Sequence, residues 1–369
     1  MKKIKFILIA VILIVVHSLI FFLVVGNRNK PLHSKKVPPK STSKRKTATP
    51  PHTKKKSTVL DDFPIPNLLP EKGSAPTPRT TYSRPTPSSS FKNKRGYLQN
   101  NLPNRHTKKV YSSLVRNPYR GAIVVDAQTK RILFKDHETS YGYPASLTKL
   151  MTFLLVLDHI HAGNIHLSDR VKITNEIAKI GGSQIWLDPK EKNFTVDDLL
   201  YALMVHSAND AAYALALHVA GTRTKFVQMM NQKAHKLGMN ATTYHSPHGL
   251  PPGNGNQPDI STAHDIALLS LAVLQYSETL HYTNTELKYL RNGKTMLATR
   301  NKLIRKSGGY PNCDGLKTGY HTKGGWSISV TAKRNNHRIV AVLLGCPNKK
   351  IRMAQARKLL DQGFKTLKK

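Results

Sequence analysis

Hydrophobic positions fall along this chain in three regimes. The first is continuous: "MKKIKFILIAVILIVVHSLIFFLVVG" sets about twenty mostly apolar residues behind three lysines, long enough to cross a bilayer. That length exceeds the usual ~7–15-residue signal core, so residues 1–26 read as an uncleaved anchor in preference to an export signal cut near Val24-Val25-Gly26. The second regime, residues 27–115, has almost no apolar periodicity. From about Arg116 a third begins, in which apolar residues recur with period two or at helical spacing, the pattern of a packed domain over 116–369.

In this third regime "GAIVVDAQTKRILFKD" gives two β-rich runs joined around Ala127-Gln128-Thr129, a hairpin. A helix follows Pro144, with Leu150, Phe153, Leu154 and Leu157 on one stripe. "TVDDLLYALMVH", capped by Thr195, and "DAAYALALHVAG" predict two more helices, and "TKFVQMMNQKAHKLG" and "TAHDIALLSLAVLQY" another two. The pattern then returns to strands in "DGLKTGY", "GWSISVTAKR" and "HRIVAVLLG", the last two joined by a tight Asn335-Asn336 turn, before a final helix, "IRMAQARKLLDQGF". A hairpin, a block of helices, three strands and a helix predict an α+β fold. It is a five-stranded antiparallel sheet flanked by helices, with a helical lobe.

Charge changes the picture mainly for the second regime. The chain carries 58 Lys and Arg against 20 Asp and Glu, a formal +38. Residues 1–26 hold +3 of this and residues 27–110 hold +17, from 20 basic and 3 acidic side chains. Rich in Pro, Ser, Thr and Lys, this segment is expected to be a disordered tether whose ends lie roughly 50 Å apart as a flexible coil. It suits a solvated spacer, or a polycation gripping anionic lipid, wall polymer or nucleic acid. The basic residues lack interleaved aromatics or a nucleic-acid module, which disfavours the last. Cys313 and Cys346 are too few for a disulfide scaffold; in an antiparallel meander they begin the first and end the third late strand, too far apart to bridge.

Three short motifs carry candidate chemistry. In "YPASLTKL", Ser146 and Lys149 share one face of a helical turn, and Ser146 lies in the first turn, where free N–H groups favour developing negative charge. A lysine kept neutral by burial can take a serine proton. In "VHSANDAA", Ser207 and Asn209 sit in a polar break between two apolar helices and can face one pocket. In "CDGLKTGY", Lys317, Thr318 and Gly319 end a strand, where a cation, a hydroxyl and a residue without a side chain suit an extended peptide with a terminal carboxylate. Each also has a plain structural explanation: a cap with a solvated lysine, a helix boundary, a strand running into a turn. Ser-x-x-Lys alone arises by chance about once in a chain this long. His245 and His248 are three apart but flank Pro247 in a loop, so no metal site or cofactor is expected. "GGS" at 181–183 lacks the ending of a phosphate loop.

In this order the three motifs match serine acyl-enzymes of the penicillin-binding type. From about residue 116 to 366 the chain resembles the low-molecular-mass penicillin-binding proteins. These are the serine D-Ala-D-Ala carboxypeptidases of the peptidase S11 type and their endopeptidase relatives. "ASLTKLMT", "DDLLYALMVHSANDAA", "MNQKAHKLGM", "PHGL", "STAHDIA", "RNKLI", "DGLKTGY" and "ARKLLDQGF" all look like that family's phrases. The resemblance implies a β-lactamase-like transpeptidase fold, Ser146 as nucleophile and Lys149 as its base. It implies proton transfer for Ser207, and ordering of Lys149 and substrate for Asn209. It also implies carboxylate binding by Lys317 and Thr318, close strand approach at Gly319, an oxyanion hole from the N–H groups of Ser146 and Tyr320, and an arginine near the carboxylate at Arg352. The implied activity is removal of the terminal D-Ala from peptidoglycan stem pentapeptides, outside the cytoplasm on a tethered or secreted protein, with β-lactams as inhibitors.

Alternatives stay open: a DD-endopeptidase cutting cross-links, a β-lactamase, disfavoured by the lack of a further glutamate motif, or a non-catalytic wall or β-lactam binder. The chain departs from the family at His321, where a smaller hydroxyl residue is usual, and in its long basic tether. The sequence also ends at "GFKTLKK", so membrane attachment is expected from the N-terminus.

Overall fold

The computed structural model describes residues 112–251 and 257–368; the expected anchor over 1–26 and nearly all of the expected tether lie outside the described residues. In chain order, β1 (Gly121–Asp126) and β2 (Ile132–Asp136) form a hairpin. A helical block follows: α1 (Lys149–His161), α2 (Asn175–Ala178), α3 (Val196–Tyr201), α4 (Asn209–Ala220), α5 (Arg223–Lys236), α6 (Ala263–Val273) and α7 (Thr279–Thr283). A small hairpin, β3 (Leu287–Leu290) and β4 (Thr295–Ala298), precedes the long strands β5 (Cys313–His321), β6 (Gly325–Arg334) and β7 (His337–Cys346), and α8 (Lys349–Leu367) ends the fold. Among the described helices none is long and apolar enough to cross a membrane.

The five-stranded sheet runs β2-β1-β7-β6-β5 with every neighbour antiparallel, as the sequence predicts. Its centre joins the two ends of the domain: β1 pairs with β7 from Gly121↔Leu344 to Asp126↔Ile339. Alternation on β7 divides two cores. Val340, Val342 and Leu344 belong to the larger cluster with the helical block, while Ile339, Ala341 and Leu343 pack with Ala356, Leu359, Leu360 and Phe364 of α8. Burial on both faces explains why "IVAVLL" is continuously apolar. Asn335 and Asn336 take the left-handed conformations (φ 47° and 65°) that a two-residue hairpin turn needs. Cys313 pairs with Ala332 and Cys346 with Trp326, so β6 separates two free, buried thiols placed about 20 Å apart along it.

Three local expectations change. The helix predicted through "TVDDLLYALMVH" stops at Tyr201 and continues as a wider π-turn over Ala202–His206, ended by Ser207 at φ 65°. Its start is as expected, with Thr195 and Asp198 forming a reciprocal capping box. Ser146 occupies a tight 3₁₀ turn, Ala145–Thr148, and the α-helix proper starts at Lys149. Finally, β5 runs one residue beyond the predicted strand "DGLKTGY", to His321. The β3–β4 hairpin is an additional element that the apolar pattern did not predict.

Candidate active site

The turn carrying Ser146 is set by its neighbours. Ala145 takes φ 50°, a sparsely populated conformation for a residue with a Cβ, and Leu147 N–H closes the turn on Pro144 O at 3.0 Å. Behind it every residue from Lys149 to Leu157 is buried, and the lysine is 0% exposed. Its Nζ instead meets three acceptors: Ser146 Oγ at 3.2 Å, Asn209 Oδ1 at 2.6 Å and the His248 carbonyl at 2.7 Å. Burial pulls its pKa down to about 7, against the opposing pull of the Asp259 and Asp210 charges. A neutral amine donates two hydrogens and accepts one, so two fixed acceptors and one serine hydroxyl match it fully.

Asn209 opens α4 and is held at every polar atom. Its N–H reaches Ser183 O at 2.6 Å and its Nδ2 reaches Gly181 O at 2.7 Å, leaving Oδ1 for the lysine. The "GGS" segment, which lacks the ending of a phosphate loop, therefore borders the site. A Cβ on Gly182 (φ 82°) would stand 2.5 Å from Asn209 Nδ2. The buried Asp210 accepts Ile185 N–H and Leu187 N–H, and Arg291 in the β3–β4 turn donates to Ile185 O and Trp186 O, each at 3.0 Å. The unanticipated hairpin thus braces the segment that orients Asn209. Ser207 is buried beside it at the end of the π-turn.

Strand β5 forms the opposite wall. A Cβ on Gly319 would stand 2.7 Å from Pro144 O and 3.4 Å from Ser146 N, so only a bare backbone fits against the turn that carries Ser146. Lys317 is 1% exposed and donates to Thr318 O at 3.2 Å. Burial, then the charges of Lys149, Arg300 and Arg352, push its pKa well below the usual lysine range. Thr318 is buried, while Tyr320 stands 53% exposed at the rim, its ring centroid 4.4 Å from Trp326. His321 is used structurally: its Nδ1 accepts the N–H groups of Lys323 and Gly324 and its ring packs 5.2 Å from Tyr143. Arg352 comes from α8 on the far face of the sheet, donates to Ser327 O at 3.3 Å and lies over the Trp326 ring.

The structure thus brings Ser146, Lys149, Asn209 and Gly319 into direct contact or near it, with Lys317, Thr318 and Ser207 buried around them, Tyr320 at the edge and Arg352 behind the sheet. Sequence reasoning missed Asp210, Asp259, the Gly181–Ser183 segment and the His248 carbonyl. Only Asp210, directly after the second motif, gave a local signal. His248 itself is buried and neutral, its pKa lowered to about 3 by burial and then by Lys149 and Arg223, and its Nδ1 accepts Leu250 N–H.

With this geometry in hand, the similarities to known proteins are specific. A family model described as D-alanyl-D-alanine carboxypeptidase matches residues 117–348. The D-alanyl-D-alanine carboxypeptidase DacF of Bacillus subtilis is 35% identical over 248 residues, 66% of this chain and 62% of that protein. Among solved structures, penicillin-binding protein 6B from Escherichia coli is 34% identical with a TM-score of 0.61, covering 66% of this chain and 76% of that one. Penicillin-binding protein D2 from Listeria monocytogenes, solved with cefotaxime bound, is 28% identical with a TM-score of 0.61, covering 67% of this chain and 97% of that one. The chain spans about three fifths of the length of the DacF, DacC and DacD proteins it matches.

Proposed function

This chain belongs to the D-alanyl-D-alanine carboxypeptidase family, peptidase S11, and we propose that it removes the terminal D-Ala from peptidoglycan stem pentapeptides through an acyl-enzyme on Ser146. The observation that carries this reading is a fully buried lysine amine, its pKa near 7, at 3.2 Å from a serine hydroxyl. Lys149 takes the Ser146 proton as Oγ attacks the penultimate D-Ala carbonyl. The N–H groups of Ser146 and Tyr320 receive the developing oxyanion, and Ser207 relays the proton to the departing D-Ala amine. Lys317 and Thr318 hold the terminal carboxylate, whose charge restores that of the buried lysine, with Arg352 adding a positive field from behind the sheet. Water then cleaves the Ser146 ester. β-Lactams enter by the same attack and remain as stable esters. The substrate places the domain outside the cytoplasm, on a protein tethered by, or released from, its N-terminal segment, with the basic tether facing anionic wall or lipid.

The test is mass spectrometry of the full-length chain incubated with a defined pentapeptide muropeptide ending in D-Ala-D-Ala, beside Ser146→Ala. Loss of one D-Ala with the unaltered chain alone is the expected result. No loss from either protein, with cross-linked dimers cleaved instead, replaces this reading with an endopeptidase; neither reaction leaves a binder of β-lactams or wall peptides.

A further inference from the structure

Asp259 is 2% exposed, lies far in sequence from all three motifs, and is used by no step above. Its carboxylate collects four donors. Oδ1 accepts His245 N–H at 2.7 Å and Ser246 N–H at 3.2 Å; Oδ2 accepts Ser246 Oγ at 3.3 Å and Thr148 Oγ1 at 2.7 Å. Thr148 stands between Ser146 and Lys149 on the nucleophile turn, whereas His245 and Ser246 begin the loop whose later residues touch that turn. Ser246 Oγ in turn accepts Gly249 N–H at 2.9 Å. A Cβ on Gly249 (φ 92°) would stand 2.0 Å from Ala145 O, so the loop lies directly on the strained residue before Ser146. The same loop offers the His248 carbonyl to Lys149, and its Pro247 carbonyl accepts Thr152 Oγ1 at 2.5 Å.

We propose that Asp259 is a positioning residue for acylation: it clamps the 245–249 loop to the nucleophile turn and supplies a fixed negative field that governs when Lys149 is a free base. The inference rests on the Ser146–Lys149 reading above. The groups facing Lys149 are few: Ser146 on its own turn, Asn209 and Asp210 on α4, the His248 carbonyl and neutral His248 ring on the loop, Lys317 on β5, and Asp259. Of these only the two aspartates carry negative charge, and the pull of Asp259 on Lys149 is the larger of the two. Burial raises the Asp259 pKa to about 6 against its four donors, below the value of about 7 for Lys149, so it is mostly an anion at the midpoint of the lysine's titration. Removing that charge lowers the lysine pKa and extends acylation to more acidic solution.

The test measures acylation of the full-length chain by a fluorescent penicillin from pH 5 to 10, with Ser146→Ala as blank, for Asp259→Asn and Thr148→Val. In Asp259→Asn the midpoint of the acid limb is expected to fall by about one pH unit and the plateau rate by roughly tenfold. Thr148→Val keeps the charge and breaks one tie of the clamp, so its plateau falls while its midpoint stays. A purely structural Asp259 lowers the rate equally at all pH, and an unchanged or raised midpoint overturns the proposal. If Asp259→Asn does not fold, Thr148→Val acylating at the unaltered rate overturns it instead. Failure of the unaltered chain to acylate, or equal labelling of Ser146→Ala, defeats the Ser146 reading itself and is distinguishable from either result.

Discussion

Two lysines are buried in this molecule to almost the same degree, and their surroundings differ in every other respect. Lys149 has three acceptors within 3.2 Å and two carboxylates in its field. Lys317 has one carbonyl, donated to at 3.2 Å, and a field made of Lys149, Arg300 and Arg352. Desolvation depresses both, yet the acceptors around Lys149 define a place for either protonation state, while Lys317 sits short of negative charge. The first environment suits the proposed base near neutrality. The second suits the proposed host of a carboxylate. Burial alone does not distinguish a general base from a binding cation; the sign and direction of neighbouring groups do.

The sharpest break of this comparison exchanges each lysine for methionine. Lys149→Met is expected to lower the acylation rate by about 10²–10⁴-fold with any acyl donor, because the proton acceptor is gone. Lys317→Met is expected to cost a carboxylate-bearing peptide more than the same peptide amidated at its C-terminus, measured as the ratio of their kcat/KM values. Equal losses for both peptides refute the assignment of Lys317 as the carboxylate's partner. Next in size is Gly319→Ala, which pushes a methyl group toward Pro144 O and separates the two walls that carry the lysines. A roughly 100-fold loss of acylation with a small change in Tm is expected; wild-type acylation contradicts the close approach of β5.

The smallest effect is thermodynamic. Lys149 has a folded pKa near 7, below its unfolded value of about 10.4, so between those limits the unfolded state binds more protons. Stability therefore rises as pH increases from about 7 toward 10, and the contribution is absent below the folded pKa, where both states are protonated. Lys317, depressed for the same reason, adds to the slope. Urea unfolding at several pH values should show this rise, and Lys149→Met should flatten it by one proton's worth while leaving the Lys317 part in place. An undiminished slope in that variant assigns the depression to other groups.

Much of this was legible because the relevant signals are local. The β1–β2 run, the capped start of α3, the Asn335-Asn336 turn and the order of the late strands follow from period and turn chemistry. Ser146, Lys149, Ser207, Asn209 and Lys317 stand out as polar residues where apolar ones surround them. Others gave no such signal. The β3–β4 hairpin is four residues a side with an exposed outer face, so Leu287, Tyr289 and Met296 do not alternate cleanly with polar neighbours. The π-turn before Ser207 is invisible to a helical period, since it adds one residue to a turn without altering which residues are apolar.

What the sequence by itself determined is the set of candidate side chains, the elements that carry them and the sheet on which they are mounted. Only the tertiary structure decided how Lys149 is kept ready. Its partners are a backbone carbonyl in the 245–249 loop and the field of Asp259 and Asp210, and a β3–β4 turn arginine braces the segment that orients Asn209. Every residue has a carbonyl, and an aspartate in a polar loop reads the same whether it is solvated or clamped. Long-range packing alone removes the water and turns those ordinary groups into the lysine's environment.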